Sequence, residues 1–373
     1  MTAPEPTLGR AGRPAPRAGA LRIAPYVAGR ARASGDTRVV KLSSNESALG
    51  ASPAAVGAYG AASEELFRYP DHAATELRAA IAEVHGLDAD RIECGDGSDE
   101  LLQLLALGYA GPGDEVLHSA HGFVVYPMAA HAVGATPRAV PEKEFSVDVD
   151  AMLAAVSPVT RIVFVANPNS TGTVLRGEDL RRLHDGLPTD VLLVIDAAYA
   201  EFCDVPGYDA GAALARETEN TVMTRTFSKA YGLAGLRLGW CYAPRAVTEV
   251  LNRLRGPFNV TRPAQVAGTA AVRDGPFLKT VQDHNARWRP WLAQELEKLG
   301  LQVVPSGANF ILTRILGGVA QADAALAHLA ADGILVRDMK AYDLGDCLRI
   351  TVGRESELNA LLGSLGAFLG ART

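Results

Sequence analysis

The chain has 373 residues, of which 48% are hydrophobic and 21% charged, and its formal net charge is −6. This length exceeds one typical hydrophobic core, so we expect a large domain and a smaller one. The acidic balance argues against a nucleic-acid-binding protein, which normally carries a basic face. No apolar segment approaches the roughly 18 residues that a membrane helix needs, so we expect no membrane span.

The N-terminal region and the cysteines indicate a cytoplasmic protein. Residues 1–18 lack the apolar segment of a signal peptide, and we expect them to form a loose tail. Four cysteines, Cys94, Cys203, Cys241 and Cys347, are scattered without a CxxC pair. This pattern is typical of reduced thiols in a core, so it predicts neither a disulfide framework nor a metal site.

Short apolar segments alternate with helical patterns from about residue 75 onward. Helices are predicted over 76–84, from Ser98 onward and over 178–184. Strands are predicted over 115–118, 161–166, 191–195, 222–225 and 238–242. Strands that are apolar on both faces and alternate with helices predict an α/β fold, with a mostly parallel sheet covered by helices.

The pattern changes after residue 257. Two longer helices are predicted over 264–272 and 286–299, and a final helix over 356–369. Shorter strands are predicted over 301–304, 310–313, 334–336 and 348–352. We therefore predict an N-terminal tail and arm (1–35), a large domain (36–257) and a smaller α+β domain (258–373).

The most informative segment is Thr226-Phe-Ser-Lys-Ala-Tyr-Gly-Leu-Ala-Gly-Leu-Arg237, which places Lys229 just after a predicted strand. An unprotonated lysine amine can form an imine with an aldehyde cofactor, and a desolvated or cation-rich setting favours that form. Ser228 and Arg237 are suited to holding the phosphate of such a cofactor.

A second motif ends a predicted aliphatic strand on Asp196, with Tyr199 three residues later. An ionised carboxylate there is costly unless it is paired, and a protonated pyridine nitrogen is a suitable partner. A helix cap is the alternative role for Asp196. Tyr199 falls on the same side if the chain turns helically. Lysine, aspartate and arginine are together the protein side of pyridoxal 5'-phosphate (PLP) chemistry, so we predict a PLP enzyme.

Three further features support this prediction only in combination with the lysine segment. Ser98 and Asp99 open a helix after a glycine, where free amides bind a phosphate or merely need a cap. Asn169 follows a predicted strand and can donate to the ring oxygen of the cofactor, unless it lies in a plain turn. Phe123 can stack on the pyridine ring or pack in the core.

Two arginines near the C-terminus, Arg337 and Arg349, each follow a strand-like segment. Guanidinium groups bind carboxylate or phosphate through two parallel hydrogen bonds. If both face a cleft, they can bind the anionic end of a substrate; solvated surface arginines are the alternative.

Together these motifs resemble those of the fold-type I PLP aminotransferases, and more narrowly the histidinol-phosphate aminotransferases. The resemblance covers nearly the whole chain. It includes Ile23-Ala-Pro-Tyr26, Lys41-Leu-Ser-Ser-Asn-Glu46, Arg68-Tyr69-Pro, Gly97-Ser-Asp-Glu-Leu-Leu, the lysine segment, Gly256-Pro-Phe-Asn-Val, Asn309-Phe-Ile-Leu and Leu348-Arg-Ile-Thr-Val-Gly353.

The resemblance implies a role for each site residue. Lys229, Asp196 and Tyr199 would be catalytic. The cofactor would be bound by Tyr69, Ser98, Asp99, Phe123, Asn169, Asp196, Tyr199, Thr226, Ser228, Lys229 and Arg237. Substrate would be bound by Tyr26, Asn169, Arg337 and Arg349. Because Tyr69 would reach the phosphate held by the neighbouring subunit, the resemblance also implies a homodimer.

The activity that the resemblance implies is transamination of L-histidinol phosphate with 2-oxoglutarate in histidine biosynthesis, giving imidazole acetol phosphate and L-glutamate. An aromatic amino acid aminotransferase, a phosphothreonine-type PLP decarboxylase and a regulatory protein built on the same domain are the alternatives.

The chain departs from the family pattern in three places. Asn45-Glu46-Ser47-Ala48 replaces Asn-Glu-Asn-Pro, and Asp96 stands where Asn or Cys is commoner. The loop 167–172 is one residue shorter than usual and lacks its second proline. None of these changes removes a chemical group that the mechanism requires.

Overall fold

The computed structural model describes residues 15–25 and 39–370. The α-helices in this part are α1 (Ala18–Arg22), α2 (Pro53–Ala62), α3 (Thr75–His85), α4 (Gly97–Tyr109), α5 (Val125–Val133), α6 (Val149–Ala155), α7 (Gly177–Gly186), α8 (Ala212–Glu217), α9 (Arg245–Leu254), α10 (Arg262–Arg273), α11 (Gly275–Lys298), α12 (Val319–Ala331) and α13 (Glu355–Gly370). The strands are β1 (Val40–Leu42), β2 (Ile92–Asp96), β3 (Glu115–Ser119), β4 (Thr136–Val140), β5 (Thr160–Ala166), β6 (Leu192–Asp196), β7 (Thr221–Thr226), β8 (Leu238–Tyr242), β9 (Gln302–Val304), β10 (Phe310–Arg314), β11 (Ile334–Asp338) and β12 (Cys347–Thr351).

Seven strands form the larger sheet, in the order β2-β8-β7-β6-β5-β3-β4. Strands β3 to β7 pair in parallel, whereas β8 is antiparallel to both of its neighbours. Ile162 and Phe164 on β5 pack with residues of α4 and α5, and the alternating Val163 and Val165 pack with residues of α6 and α7. Helices therefore cover both faces, and the predicted α/β fold with a mostly parallel sheet is confirmed.

The central strands of the larger sheet lie where the apolar segments predict them, but two strands of this sheet, β2 and β4, were missed, as was β1 in the smaller sheet. β2 has the sequence Ile-Glu-Cys-Gly-Asp, and its glutamate and glycine interrupt the apolar pattern. β4 has the sequence Thr-Pro-Arg-Ala-Val and lies at the edge of the sheet, where a proline and exposed side chains are tolerated.

The smaller sheet has the order β1-β11-β12-β10-β9. Only the pairing of β1 with β11 is parallel. Residues from α11, α12 and α13, among them Leu292, Leu329 and Leu361, form its core. Helix α11 begins at Gly275, so the prediction of a helix over 286–299 missed its first half.

Strand β1 connects the two parts of the chain that we predict as separate domains. It lies within the range 36–257 that we assigned to the large domain, yet Val40 pairs with Ile334 in the smaller sheet. Such a short strand pairs across most of the chain, and no local pattern signals that contact. The domain boundaries themselves stay predictions.

The N-terminal residues in the described part contact the body of the protein. Helix α1 begins at Ala18, and Arg17 Nη2 donates to the carbonyl oxygen of Val133 at 3.0 Å. The expectation of a loose tail up to residue 18 is therefore wrong at its C-terminal end. Across residues 15–25 and 39–370, no helix combines the length and the apolar character needed to cross a membrane.

Candidate active site

A cavity of about 260 Å³ lies where the carboxyl ends of β5, β6 and β7 meet the smaller sheet. Ligands of open α/β sheets bind at this edge. The sequence-predicted residues that line it are Ser98, Asp99, Phe123, Asp196, Tyr199, Thr226, Ser228, Lys229, Arg237, Arg337 and Arg349. Both sheets therefore contribute to one site.

Lys229 follows the end of β7 and places its amine in the cavity. Lys229 Nζ donates to the carbonyl oxygen of Ser44 at 2.9 Å and lies 5.8 Å from the centre of the Tyr199 ring. Burial and, after it, the nearby Arg349 lower the pKa of Lys229 to about 8, while Asp99 acts in the opposite direction. At a pKa of about 8, roughly a tenth of the amine is unprotonated at pH 7, and this is the form that acts as a nucleophile or general base.

Asp196 is the last residue of β6 and is only 4% exposed. Tyr126 Oη donates to its Oδ2 at 3.0 Å, and Thr224 Oγ1 donates to its Oδ1 at 3.2 Å. Burial raises the pKa of Asp196 to about 6, and the hydrogen bond from Tyr126 acts in the opposite direction. The carboxyl group is thus held in place and ready to pair with a cationic nitrogen.

Sequence reasoning missed Tyr126. It is fully buried on α5, it stacks on Phe164 with ring centroids 4.7 Å apart, and it meets Phe123 edge-on at 5.9 Å. Its position three residues after Phe123 is the one local signal, because the Tyr126 amide donates to the Phe123 carbonyl oxygen at 3.0 Å and the two rings meet. Its contact with Asp196 spans 70 residues of sequence and leaves no local pattern.

Tyr199 precedes a short 3₁₀-helix at Ala200–Phe202. Asn45 Nδ2 donates to Tyr199 Oη at 2.9 Å, and Thr351 Oγ1 donates to Asn45 Oδ1 at 3.1 Å. Burial raises the pKa of Tyr199, so the phenol stays protonated at neutral pH. The asparagine of the Asn45-Glu46 motif therefore orients a phenol at the cavity.

One end of the cavity is rich in hydrogen-bond donors. We call Ser98, Asp99, Ser228 and Arg237, with the amides of the first turn of α4, the anion cradle. Arg237 Nη1 donates to Ser228 Oγ at 3.1 Å, and Arg237 Nη2 lies 3.5 Å from Asp99 Oδ2. Thr226 Oγ1 accepts from the Ser228 amide at 3.1 Å and so shapes the turn that carries Ser228.

Two glycines permit the close packing of the anion cradle. Gly97 has a φ of +77°, and a Cβ on it would lie 2.4 Å from Arg237 Nη2. A Cβ on Gly239 would lie 2.2 Å from the Ser98 amide nitrogen. Any larger residue would push the guanidinium group or the helix start away from the cavity. The Arg237 guanidinium group and the N-terminus of α4 both favour the binding of an anion at this end of the cavity.

The opposite end carries the two arginines, which lie inside strands rather than after them. Arg337 on β11 and Arg349 on β12 are cross-strand neighbours, and we call them the arginine pair. They are 5% and 7% exposed. Arg349 Nη1 donates to the Ser170 carbonyl oxygen at 3.2 Å, and its guanidinium carbon lies 5.0 Å from the Phe310 ring centre. A substrate anion would offset the cost of placing two cations here.

Asn169 does not line the cavity, contrary to our expectation of contacts with cofactor and substrate. Its Nδ2 donates to Glu142 Oε1 at 2.9 Å, and its Oδ1 accepts from the Ser170 amide at 2.8 Å. The neighbouring Pro168 and Ser170 line the cavity instead. The hydrogen bond with Glu142 is the physical reason, because it holds the Asn169 amide outside the cavity.

Tyr69, another predicted site residue, does not line the cavity. Tyr69 is 80% exposed and stacks on Phe258 with ring centroids 4.5 Å apart. Leu66 and Phe67 beside it are also exposed. Any contact of Tyr69 with an active site therefore needs a second subunit. Tyr26 lies outside the described residues, so its predicted contact with substrate stays a prediction.

The mostly parallel sheet, with a lysine and a buried aspartate at the carboxyl ends of neighbouring strands, defines the architecture of a fold-type I aminotransferase. The chain belongs to the aminotransferase class I and II family, whose model matches residues 37–365. Within the described residues, no group of three or more His, Cys, Asp or Glu side chains is arranged to hold a metal ion.

The chain is similar to several histidinol-phosphate aminotransferases. It is 52% identical over 360 residues to that of Paramagnetospirillum magneticum, covering 96% of this chain and 99% of that protein. It is 52% identical over 358 residues to that of Ruegeria pomeroyi, covering 96% and 98%. The crystal structure of histidinol-phosphate aminotransferase from Sinorhizobium meliloti in complex with PLP matches with a TM-score of 0.86 at 27% identity, covering 90% and 92%. The resemblance stated from the motifs is confirmed.

Proposed function

We propose that this protein catalyses the PLP-dependent transamination of L-histidinol phosphate with 2-oxoglutarate, in histidine biosynthesis. The observation that carries this proposal is the amine of Lys229, with a pKa of about 8, in a cavity that also holds Asp196 and the anion cradle. The relatives at 52% identity support the choice of substrate.

The residues present fit PLP. The anion cradle would hold its phosphate, where the missing side chain of Gly97 leaves room for the Arg237 guanidinium group. Asp196 would pair with the ring nitrogen, Tyr199 with the ring oxygen, and Phe123 would stack on the ring. When bound, the cofactor supplies an aldehyde for the substrate amine and a ring that withdraws electrons from the reacting carbon.

Lys229 has two tasks in this proposal. Its Nζ binds the cofactor between substrates, and it accepts and returns a proton at the substrate carbon as general base and acid. A pKa of about 8 keeps both the protonated and the unprotonated amine accessible near neutral pH. The Ser44 carbonyl oxygen, 2.9 Å from Nζ, orients the amine.

The arginine pair supports the choice of both substrates. One substrate carries a phosphate and the other a carboxylate at the end remote from the reacting carbon. Guanidinium groups bind either anion through parallel hydrogen bonds. Arg337 and Arg349 are held on adjacent strands, so the same pair can bind the two substrates in turn.

The oligomeric state and location form part of the proposal. The exposed stack of Tyr69 on Phe258, with Leu66 and Phe67, supports a homodimer in which Tyr69 contacts the neighbouring active site. The four free cysteines, Cys94, Cys203, Cys241 and Cys347, suit the reducing conditions of the cytoplasm.

A coupled assay tests the function. Purified protein with PLP, histidinol phosphate and 2-oxoglutarate should form glutamate, and Lys229→Ala should lower the rate by at least about 10³-fold. Parallel reactions with phenylalanine and phosphothreonine measure the aromatic and decarboxylase alternatives. A higher kcat/KM for either of these substrates than for histidinol phosphate would overturn the assignment.

A further inference from the structure

The Gly256-Pro-Phe-Asn-Val motif has no contact with the cavity, yet it adjoins the anion cradle from behind. Asn259 Nδ2 donates to Glu100 Oε2 at 2.7 Å and to the Cys94 carbonyl oxygen at 3.3 Å. The same Glu100 oxygen accepts from the Asp96 amide at 2.6 Å. Glu100 is thus held by two donors on the outer side of the turn between β2 and α4.

Glu100 belongs to the first turn of α4, whose amides form part of the anion cradle. Its neighbours Ser98 and Asp99 line the cavity, whereas Glu100 does not. A carboxylate on a first turn is itself attracted to the positive end of the helix. An unrestrained Glu100 would therefore compete with a bound phosphate for the same amides.

Arg237, the cation of the anion cradle, is already engaged. Arg237 already lies 3.5 Å from Asp99 Oδ2 while donating to Ser228. A Glu100 carboxylate turned toward Ser98 would add negative charge next to the bound phosphate.

Asn259 is itself fixed by a buried ion pair. Arg255 Nη1 donates to Asn259 Oδ1 at 3.2 Å, and Arg255 Nε lies 3.0 Å from Glu93 Oε1. Asn252 Nδ2 donates to the other Glu93 oxygen at 2.6 Å. The Asn259 amide therefore has its oxygen engaged by Arg255, which leaves its nitrogen directed to Glu100.

We propose that Asn259 is a positioning residue that holds the Glu100 carboxylate away from the anion cradle and so preserves its affinity for the cofactor phosphate. This inference rests on the proposed function, because it takes the anion to be the phosphate of PLP. Asn259 acts through Glu100 and touches neither substrate nor cofactor.

The test compares ligands with and without phosphate. Binding of PLP, pyridoxal and inorganic phosphate is measured on the full chain freed of cofactor, by calorimetry and by absorbance. Asn259→Ala should weaken the binding of PLP and of phosphate about tenfold, and it should leave the binding of pyridoxal unchanged. A tenfold loss of affinity corresponds to the free energy of about one charge-assisted hydrogen bond. The double variant Asn259→Ala/Glu100→Gln should regain wild-type affinity, because the competing charge is gone.

Asn220→Ala is the matched control, since it removes a partly buried asparagine amide whose hydrogen bonds involve neither Glu100 nor Arg255. It should keep the preference for phosphate. Should Asn259→Ala fail to fold, Asn259→Ser replaces it, because the shorter side chain cannot bridge Arg255 and Glu100.

Equal weakening of PLP and pyridoxal, or no recovery in the double variant, would overturn the inference. Wild-type protein that binds neither PLP nor phosphate would instead refute the proposed function, so the two failures are distinguishable.

Discussion

The two anion-binding ends of the cavity are built in different ways. The anion cradle comes from the start of α4 and from the segment that joins β7 to β8, and the Arg237 side chain is 44% exposed. The arginine pair lies inside the smaller sheet, and Arg349 also donates to Ser170 on the loop after β5. The anion cradle consists of backbone amides and side chains that pack closely because two neighbouring residues are glycines. The arginine pair consists of two guanidinium groups that solvent hardly reaches. Cofactor loading and substrate selection should therefore respond to different mutations.

The largest expected effect separates the two ends directly. Arg337→Ala removes one of the two guanidinium groups, and we expect kcat/KM for histidinol phosphate to fall by about 100-fold. Losses of this size are typical when one partner of a buried charge pair is removed. The PLP absorbance of the purified protein should not change, because the anion cradle is intact. Steady-state kinetics and the absorbance spectrum measure the two effects.

The control for this variant is Arg314→Ala. Arg314 lies on β10 of the same sheet, pairs with Asp346 and does not line the cavity. Loss of PLP from Arg337→Ala, or an equal kinetic loss in both variants, would contradict the division of tasks between the two ends.

Lys229 lies between the two ends, and its pKa responds to both. Burial and Arg349 favour the neutral amine, whereas Asp99 favours the ammonium form. Below a pKa of about 8, the rate at which cofactor-free protein reacts with pyridoxal should fall about tenfold per pH unit, because only the neutral amine attacks. Borohydride trapping at a series of pH values measures this rate.

Variants at each end should move the midpoint of that profile in opposite directions. Arg349→Met removes a cation and should raise the midpoint, whereas Asp99→Asn removes an anion and should lower it. A wild-type midpoint at the ordinary lysine value of 10.5 would show that the cavity does not desolvate the amine.

The smallest expected effect concerns Asp196 and its hydrogen-bond partner Tyr126. The hydrogen bond from Tyr126 lowers the pKa of Asp196. Tyr126→Phe removes this hydrogen bond and should raise the pKa of Asp196, so the acid limb of the kcat/KM profile should move to higher pH. On that limb the activity should fall about fivefold, which corresponds to the free energy of one hydrogen bond. Tyr231→Phe is the control, because Tyr231 is a buried tyrosine outside the cavity. Identical profiles for the two variants would contradict a role for Tyr126.

The sequence predicts well what depends on local pattern and strand order. Aliphatic segments locate β5, β6 and β7, and parallel strands bring their carboxyl ends to one edge. Lys229 and Asp196 therefore gather in one cavity, as predicted. The residue types, an amine and a carboxyl group, and their positions at the ends of buried strands were enough to predict the chemistry of this site.

Contacts between distant segments could not be predicted in this way. Tyr126 donates to Asp196, and Asn45 orients Tyr199, across 70 and 154 residues of sequence. Asn169 is the opposite case, because its place after a strand marks it as a site residue while its amide is engaged by Glu142. A motif fixes which residue is present, but a distant hydrogen-bond partner decides where its side chain lies.

The cross-strand register of Arg337 and Arg349 has a consequence for the ionic environment of the protein. Like charges directly opposite each other destabilise a sheet. The arginine pair should therefore bind a small dianion from the buffer, such as sulfate or inorganic phosphate. Either substrate must then displace that counterion, so its apparent affinity will depend on the buffer as well as on the enzyme.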